Sequence, residues 1–425
     1  MRIVLIADAF PPMRTSAAVQ MRDLAREYLR QGYHPTVVVP APGQGKPWMR
    51  EDMDGIEVIR LDAPQTKDVG YLQRTVAELL TPVAMIRNLS RSPLAQVRWD
   101  SVVWYSPSIF LGAVAHWLKR KSACPSYLIV RDIFPEWAVD MGLMGRGLPY
   151  WFFKIVERYQ YSVADTIGVQ TPANLPYFNR WAKRSTRRVE VLQNWLADTM
   201  DIGCTIRVAD GKLAGRTILV YAGNMGVAQG MDILVDLAER LRTREDIGFL
   251  FVGRGSEVRR LQESVIRRGL ENVVFHDEID PSEIVGLYAQ CQIGIVALDP
   301  RHKTHNIPGK FLSYMQAGLP VLANINAGND LVTLIEREKV GKACGNHDLD
   351  TLERLACELV DDYKLDRSVS KRCRALAAKM FSPQAVVAQI LVASGRKRVL
   401  AGSSIPARAS LGHEVDETDL QREEA

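Results

Sequence analysis

At 425 residues, with 47% apolar and 24% charged side chains, the chain is long enough for two full cores and has the make-up of a globular protein. No run of about 18 apolar residues occurs, so no membrane-spanning helix is expected. The six cysteines (Cys124, Cys204, Cys291, Cys344, Cys357, Cys373) are scattered without a Cys-x-x-Cys, which argues against a zinc or disulfide framework. The net charge of +5 hides an asymmetry. Residues 1–195 hold 25 basic and 17 acidic side chains, a net of +8; residues 196–425 hold 29 and 32, a net of −3. A basic first half suits an anionic partner such as a lipid headgroup or lipid-linked diphosphate, and it equally suits a solvated surface. No nucleic-acid motif accompanies the charge, so no nucleic-acid partner is expected.

The chain opens Met1-Arg2-Ile3-Val4-Leu5-Ile6-Ala7-Asp8, without the long apolar region and cleavage site of a signal peptide. Arg2–Ala7 reads as a first strand, and the expected location is the cytoplasm. After the loop from Phe10 to Ser16, Ala18, Met21, Leu24, Ala25, Tyr28 and Leu29 recur at helical spacing. Gly32 stops that helix. Further strands are expected at Pro35–Val39, Ile56–Leu61, Ser101–Tyr105, Tyr127–Val130, Thr166–Val169 and Val189–Leu192. Continuous apolar strands divided by helices mean a parallel, doubly wound sheet.

The pattern restarts at Thr217–Ala222 and continues at Phe249–Val252, Val273–Phe275, Ile293–Leu298 and Pro320–Ala323. The expected organisation is α/β, with Rossmann-like domains over 1–195 and 196–400 and the join within 195–215. A helix over Ala385–Leu391 ends the fold, and the Ser-, Gly- and acid-rich tail, 401–425, is expected to be disordered.

The most informative stretch runs from Ile307 to Leu322: a loop, a helix with Lys310 in its first turn, a Gly318 stop and a buried strand. Gly309 sets the entry. Lys310 and Ser313 share a face, while Leu312, Met315 and Gln316 turn toward the sheet. Free N–H groups and a lysine at a helix N-terminus suit a diphosphate; an ordinary α/β helix has the same local grammar. Two other turns follow strands where doubly wound sheets bind ligands: Gly223-Asn224-Met225-Gly226 and Gly253-Arg254-Gly255. Both also fit plain turns. His276, after another strand, reads as a satisfied, half-buried histidine. In the first half, Val130-Arg131-Asp132-Ile133-Phe134-Pro135-Glu136 runs a buried strand into two carboxylates. Asp132 suits a general base or a cation-stabilising group, or a cap on the following turn. Two apolar stretches, Leu148–Lys154 and Leu79–Ile86, lie near basic residues and fit either an interfacial anchor or core packing.

Lys310 with Tyr314-Met315-Gln316-Ala317-Gly318-Leu319-Pro320-Val321 resembles the donor-site helix of the family 4 retaining glycosyltransferases, which have the GT-B fold. The Pro-x-Lys form is similar to the branch that adds amino sugars such as N-acetyl-L-fucosamine in O-antigen or capsule assembly. The similarity covers roughly residues 1–395. It implies two domains facing a cleft, with final helices crossing back to the first. It also implies retention of anomeric configuration and no cofactor or metal; no Asp-x-Asp pair is placed after a strand to hold Mg²⁺. The implied donor is a nucleotide-diphosphate sugar, with UDP as the carrier and an N-acetylated deoxy-amino sugar as the group moved. The implied acceptor is a lipid-linked saccharide at the cytoplasmic face of the inner membrane.

By the same resemblance, Gly223, Asn224, Gly226, Gly253, Arg254, Ile279, His305, Gly309, Lys310 and Ser313 bind donor. Asp8, Arg14, Ser16 and Glu136 bind acceptor, and Asp132 and Lys310 act in catalysis. The chain departs from the family at several points. Asn224 and Gln229 stand where basic residues are common, His305 and Ser313 stand where two glutamates are usual, and Thr15-Ser16-Ala17-Ala18 replaces a Gly-Gly. Ser313 still reaches a ribose hydroxyl as a neutral, shorter group. Two rivals remain: a nucleotide-sugar epimerase, and a non-catalytic scaffold in a polysaccharide-assembly complex. A nicotinamide oxidoreductase does not fit, because Asp8–Ser16 lacks Gly-x-Gly-x-x-Gly.

Overall fold

Short Val-, Ile- and Leu-rich runs form strands buried on both faces, because helices cover each side of the sheet they build. The computed structural model describes residues 1–395 apart from 14, 67, 68, 107, 185, 302–306 and 367, the side chain of Tyr71 also excepted. Two of the candidates above, Arg14 and His305, and the 401–425 tail lie outside the described residues.

The first sheet contains β1 (Arg2–Ile6), β2 (His34–Pro40), β3 (Trp48–Met53), β4 (Ile56–Leu61), β5 (Ser101–Ser106), β6 (Ser126–Val130), β7 (Thr166–Val169) and β8 (Arg188–Val191). Its order is β3-β4-β2-β1-β5-β6-β7-β8. The second contains β9 (Thr217–Ala222), β10 (Ile247–Val252), β11 (Val273–His276), β12 (Ile293–Ala297), β13 (Val321–Asn324) and β14 (Gly341–Cys344), in the order β11-β10-β9-β12-β13-β14. Every pairing is parallel except β3 with β4. The doubly wound α/β architecture expected from the sequence is present in both halves.

In the first half the helices are α1 (Ser16–Arg30), α2 (Tyr71–Leu89), α3 (Gly112–Ser122), α4 (Glu136–Asp140), α5 (Leu148–Val163) and α6 (Asn179–Ala182). The second half holds α7 (Asp232–Arg240), α8 (Val258–Arg268), α9 (Ile284–Tyr288), α10 (Gly309–Ala317), α11 (Asp330–Glu338), α12 (Leu349–Leu365), α13 (Val369–Met380) and α14 (Pro383–Ala393). Met85 and Leu89 of α2, Val114 and Leu118 of α3 and Tyr161 of α5 share one core, so these three helices cover the same face of the first sheet. The opposite face is covered by α1 and by the last helix. Val386, Val387, Ile390 and Leu391 of α14 pack with Leu24 and Tyr28 of α1, and Ser394 Oγ lies 3.0 Å from Ser101 Oγ.

Two strands escaped the sequence reading. Both are edge strands: β3 is half-exposed, with Arg50, Glu51 and Asp52 along it, and β14 has only four residues. Because β3 was missed, so was the Asp52-Met53-Asp54 pair at its end. That pair belongs to a turn: Asp52 Oδ1 accepts the Gly55 N–H at 2.9 Å, and Asp54 pairs with Arg26. The turn precedes β4, at the edge of the sheet opposite Asp8 and Asp132.

Among the described residues one stretch, Val369–Ala393, has the length and apolarity of a membrane span. It is two helices, broken before Pro383, and α13 buries Val369, Cys373 and Leu376 in the second core while α14 enters the first. Ile390→Ala should therefore lower the unfolding free energy by about 2–5 kcal/mol. Val392→Ala, on the half-exposed side of the same helix, should cost under about 0.5 kcal/mol. Equal shifts in urea midpoint for the two would show that α14 is not part of that core.

Candidate active site

Helix α10 begins at a Pro308 N-cap whose φ and ψ of −62° and 140° are extended, and no side chain caps it. In its first turn the Phe311 N–H donates to the Pro308 carbonyl at 3.0 Å, and the Gly309 and Lys310 N–H groups have no capping side chain. Lys310 folds back over the Tyr221 ring, with Nζ 4.5 Å from the centroid. A Cβ at Gly223 would stand 3.3 Å from the same nitrogen, so the absence of a side chain there makes room for the ammonium. Burial pushes the Lys310 pKa down to about 8. Gly309 is exposed beside it. One turn on, Ser313 is half-buried and its Oγ contacts the Gly309 carbonyl at 3.4 Å. Gln316 does not face the sheet: its Nε2 donates to the Leu196 carbonyl at 2.9 Å, across to the segment that joins the two halves.

The Gly-x-Gly turn after β10 has a structural cause. Gly223 N–H donates to Val252 O at 2.8 Å and Met225 N–H to Arg254 O at 2.8 Å, which continues the parallel ladder beyond both strands. A Cβ at Gly253 would lie 2.1 Å from Gly223 O, and one at Gly255 2.2 Å from Met225 O. Both glycines also have left-handed φ, 143° and 155°. They hold the 223–226 loop, and the loop in turn meets Lys310. Asn224 Nδ2 donates to Gln229 Oε1 at 3.1 Å, and Gly226 N–H donates to the same oxygen at 2.9 Å. Arg254 points outward, 76% exposed, with Glu278 at 3.3 Å. His276 is exposed rather than half-buried, and Ile279 packs its side chain on the second core. Thus Gly223, Asn224, Gly226, Gly253 and Lys310 are brought together, while Arg254 stands on the rim.

In the first half, Asp8 follows β1 and Asp132 follows β6, both half-buried at the C-terminal edge of the sheet. Between them on β5 is Tyr105. Its hydroxyl is pushed up by burial first, with the Arg131 charge opposing and Asp132 and Asp8 adding to the rise. Arg131 is buried and its guanidinium is pulled down by desolvation. It donates to the Leu192 and Gln193 carbonyls at 2.7 and 3.3 Å and stacks 4.9 Å from Trp195. Helix α4 starts without a side-chain cap. Ser16, exposed at the start of α1, follows Thr15, whose hydroxyl caps that helix by accepting from Ala18. A capped helix start thus replaces the glycine pair.

The structure ties Glu136 inward. It pairs with Lys154 at 2.9 Å and accepts from the Tyr150 hydroxyl at 3.0 Å. Lys154 also meets Glu157 at 2.7 Å and the Tyr177 hydroxyl. Burial pulls the Glu136 carboxyl up, but the Lys154 ammonium holds it below the usual value; Glu157, deeper, is raised by burial. Glu136 anchors the turn that carries Asp132.

The two halves meet at Ile307. Its carbonyl accepts from Gln170 Nε2 at 2.7 Å and Asn194 Nδ2 at 3.3 Å. The Ala173 N–H donates to Asp330 at 2.9 Å nearby. The C-terminal edges of the two sheets therefore face each other, and a cavity of about 670 Å³ opens between them, lined by Pro11, Met13, Asp198, Asp280, Tyr288 and Ser313 among others. Gln170 and Asn194 were missed in the sequence. Each stands just past a strand, the signal that singled out Asp132.

Residues 15–195 match the family described as glycosyl transferase 4-like domain, and residues 216–362 match glycosyl transferases group 1. The two matches fall one in each half of the chain. The fold is GT-B: sucrose-phosphate synthase from Thermosynechococcus elongatus superposes with a TM-score of 0.68 at 17% identity, over 92% of this chain and 97% of that one. Anabaena HepE in complex with UDP and glucose gives 0.63 at 15%, over 92% and 98%. Curated relatives include the probable glycosyltransferase WbjE of Pseudomonas aeruginosa, 22% identical over 55% of this chain and 59% of that protein. Another is the putative colanic acid biosynthesis glycosyl transferase WcaI of Escherichia coli K12, 22% identical over 59% and 62%. The matched region thus spans about three fifths of those relatives.

Two outcomes test the site's construction. Lys154→Met strands two carboxylates, one of them 1% exposed, and should cost about 3–5 kcal/mol of stability; a loss under about 1 kcal/mol in urea would mean that the network carries little. The Lys310 pKa falls from 10.5 unfolded to about 8 folded, so its charged form opposes folding in full below about pH 8, and that penalty falls away between about 8 and 10.5. Lys310→Met should accordingly be stabilising at pH 7 and lose that advantage progressively between about pH 8 and 10.5; a pH-independent difference in unfolding free energy would refute the assignment.

Proposed function

We propose that this chain transfers a sugar from a nucleoside diphosphate, with UDP as the carrier, to a hydroxyl of a lipid-linked saccharide in cell-surface polysaccharide assembly. The group moved is an N-acetylated deoxy-amino sugar, transferred with retention at the cytoplasmic face of the membrane. One observation carries the reading: a lysine with no carboxylate partner among the described residues sits at an uncapped helix N-terminus against a glycine loop. Across the Ile307 contact lies the first sheet's C-terminal edge, which carries Asp8 and Asp132. The two glycosyltransferase-type domains support the activity, and the names of WbjE and WcaI support the setting. UDP in the HepE complex supports the carrier.

On this reading the α10 N–H groups and the Lys310 ammonium neutralise the leaving diphosphate. The Gly223 backbone approaches it closely, and Ser313 meets the ribose. Asp132 takes the acceptor proton or steadies the positive charge that develops at the anomeric carbon. Arg131 and Glu136 position the Asp132 turn from either side without touching substrate.

The hydrogen bond that Asn224 donates to Gln229 favours a second reading, a scaffold that keeps the fold without the donor charge. Calorimetry separates the two. The chain should bind UDP more tightly than GDP, Lys310→Ala should weaken binding at least about tenfold, and Asp132→Asn should bind UDP normally while transfer collapses. No binding of either nucleotide would favour the scaffold.

A further inference from the structure

We propose that the outer faces of α2 and α5 form a membrane-docking surface for anionic lipid. This deepens the reading above by naming the surface on which a lipid-linked acceptor would be met. On α2, Leu72, Val76, Leu80 and Val83 are exposed at steps of three or four residues, so they form one stripe. On α5, Leu148, Trp151, Ile155 and Tyr159 do the same. The exposures are large for apolar side chains: 81% for Leu72, 63% for Val83, 87% for Leu148 and 66% for Ile155. The opposite sides of both helices enter the same core, beside α3. Both stripes therefore look outward from one layer. Isolated exposed apolar residues need no explanation, but two stripes on one layer, one on each side of α3, mark a shared face.

Their position ties them to the cleft. Helix α2 follows β4 and α5 follows β6. The N-terminal ends of both helices, where the stripes begin, thus lie at the sheet edge that carries Asp8 and Asp132. A lipid surface against this layer would meet the mouth of the cleft.

Charge selects the occupant. Arg87, Arg91, Arg146 and Arg158 are all exposed within residues 71–96 and 136–163, as is Arg74, which pairs with Glu78 at 2.9 Å. The four acidic residues of those segments, Glu78, Glu136, Asp140 and Glu157, are half-buried or buried. Aromatic and aliphatic side chains flanked by arginine suit a headgroup interface with anionic lipid. A second copy of the chain on the same face would oppose arginine to arginine across a self-complementary contact.

Sedimentation with vesicles tests the surface. The full chain should bind vesicles containing phosphatidylglycerol, bind pure phosphatidylcholine vesicles at least about tenfold more weakly, and release as salt rises. Trp151→Ser with Ile155→Ser, and separately Arg146→Glu with Arg158→Glu, should each weaken vesicle binding at least about tenfold. Their thermal unfolding and UDP affinity should stay unchanged. Equal binding by wild type and both variants, or no binding by the wild type, overturns the proposal. So does a dimer in light scattering that both variants abolish, which would give the face to a second copy. Vesicle binding without UDP binding would sink the transferase reading while leaving this surface in place; UDP binding without vesicle binding would do the reverse.

Discussion

One backbone oxygen ties the helix that carries Lys310 to the first sheet. The Ile307 carbonyl takes hydrogen bonds from Gln170 and Asn194, both buried and both at the ends of strands in the first sheet. Ile307 immediately precedes the residues that open α10. Wherever this carbonyl is held, the first turn of α10 and Lys310 are held too. The same joining segment is gripped from the other side, where Arg131 bonds Leu192 and Gln193 and Gln316 reaches Leu196. Buried amide-to-carbonyl bonds are expensive to break without replacement. The Ile307 bonds, with the Asp330, Gln316 and α14 contacts around them, set the distance between the diphosphate end and the carboxylate end.

The two ends are built by opposite electrostatic means. In the 223–230 loop the polar side chains are neutral: Asn224 donates to Gln229 Oε1, which also accepts the Gly226 N–H. Lys310 and the α10 terminus bring positive charge to this loop, and the Asp299–Arg301 ion pair lies against its far end, where the Asp299 N–H donates to the Ala228 carbonyl at 3.0 Å. At the first sheet's edge the charges are dense and half-buried, with Asp8 and Asp132 flanking Tyr105 and Arg131. Beneath them Glu136, Lys154 and Glu157 form a second charged layer. An unpaired member of such a layer is destabilising, so the turn carrying Asp132 has little freedom to move.

The fold was legible in the sequence because β-branched runs with helices between them admit few arrangements. Strands such as β1, β6 and β9 could be read one by one. The edge strands were not legible for the same reason: β3 is half polar and β14 is four residues long, so neither shows a buried run. In the site, local grammar served for Lys310 and the Gly223 loop. It failed for roles set by distant partners. The Gly253 and Gly255 requirement comes from a loop 30 residues earlier, and the partner that turns Glu136 inward, Lys154, is 18 positions away. Nor could periodicity say which side of α2 and α5 was covered, since both sides are partly apolar.

The last helix has a consequence for how the chain is made. Helix α14 supplies core residues to the first sheet, and Ser394 meets Ser101 across 293 positions. As synthesis proceeds from the N-terminus, the first sheet emerges long before the segment that covers one of its faces. Until then Leu24, Tyr28 and their neighbours lack that cover. The second domain thus has to be completed before the first can be sealed, and the nascent chain passes through a stage in which its earliest-made half is the last to become fully closed.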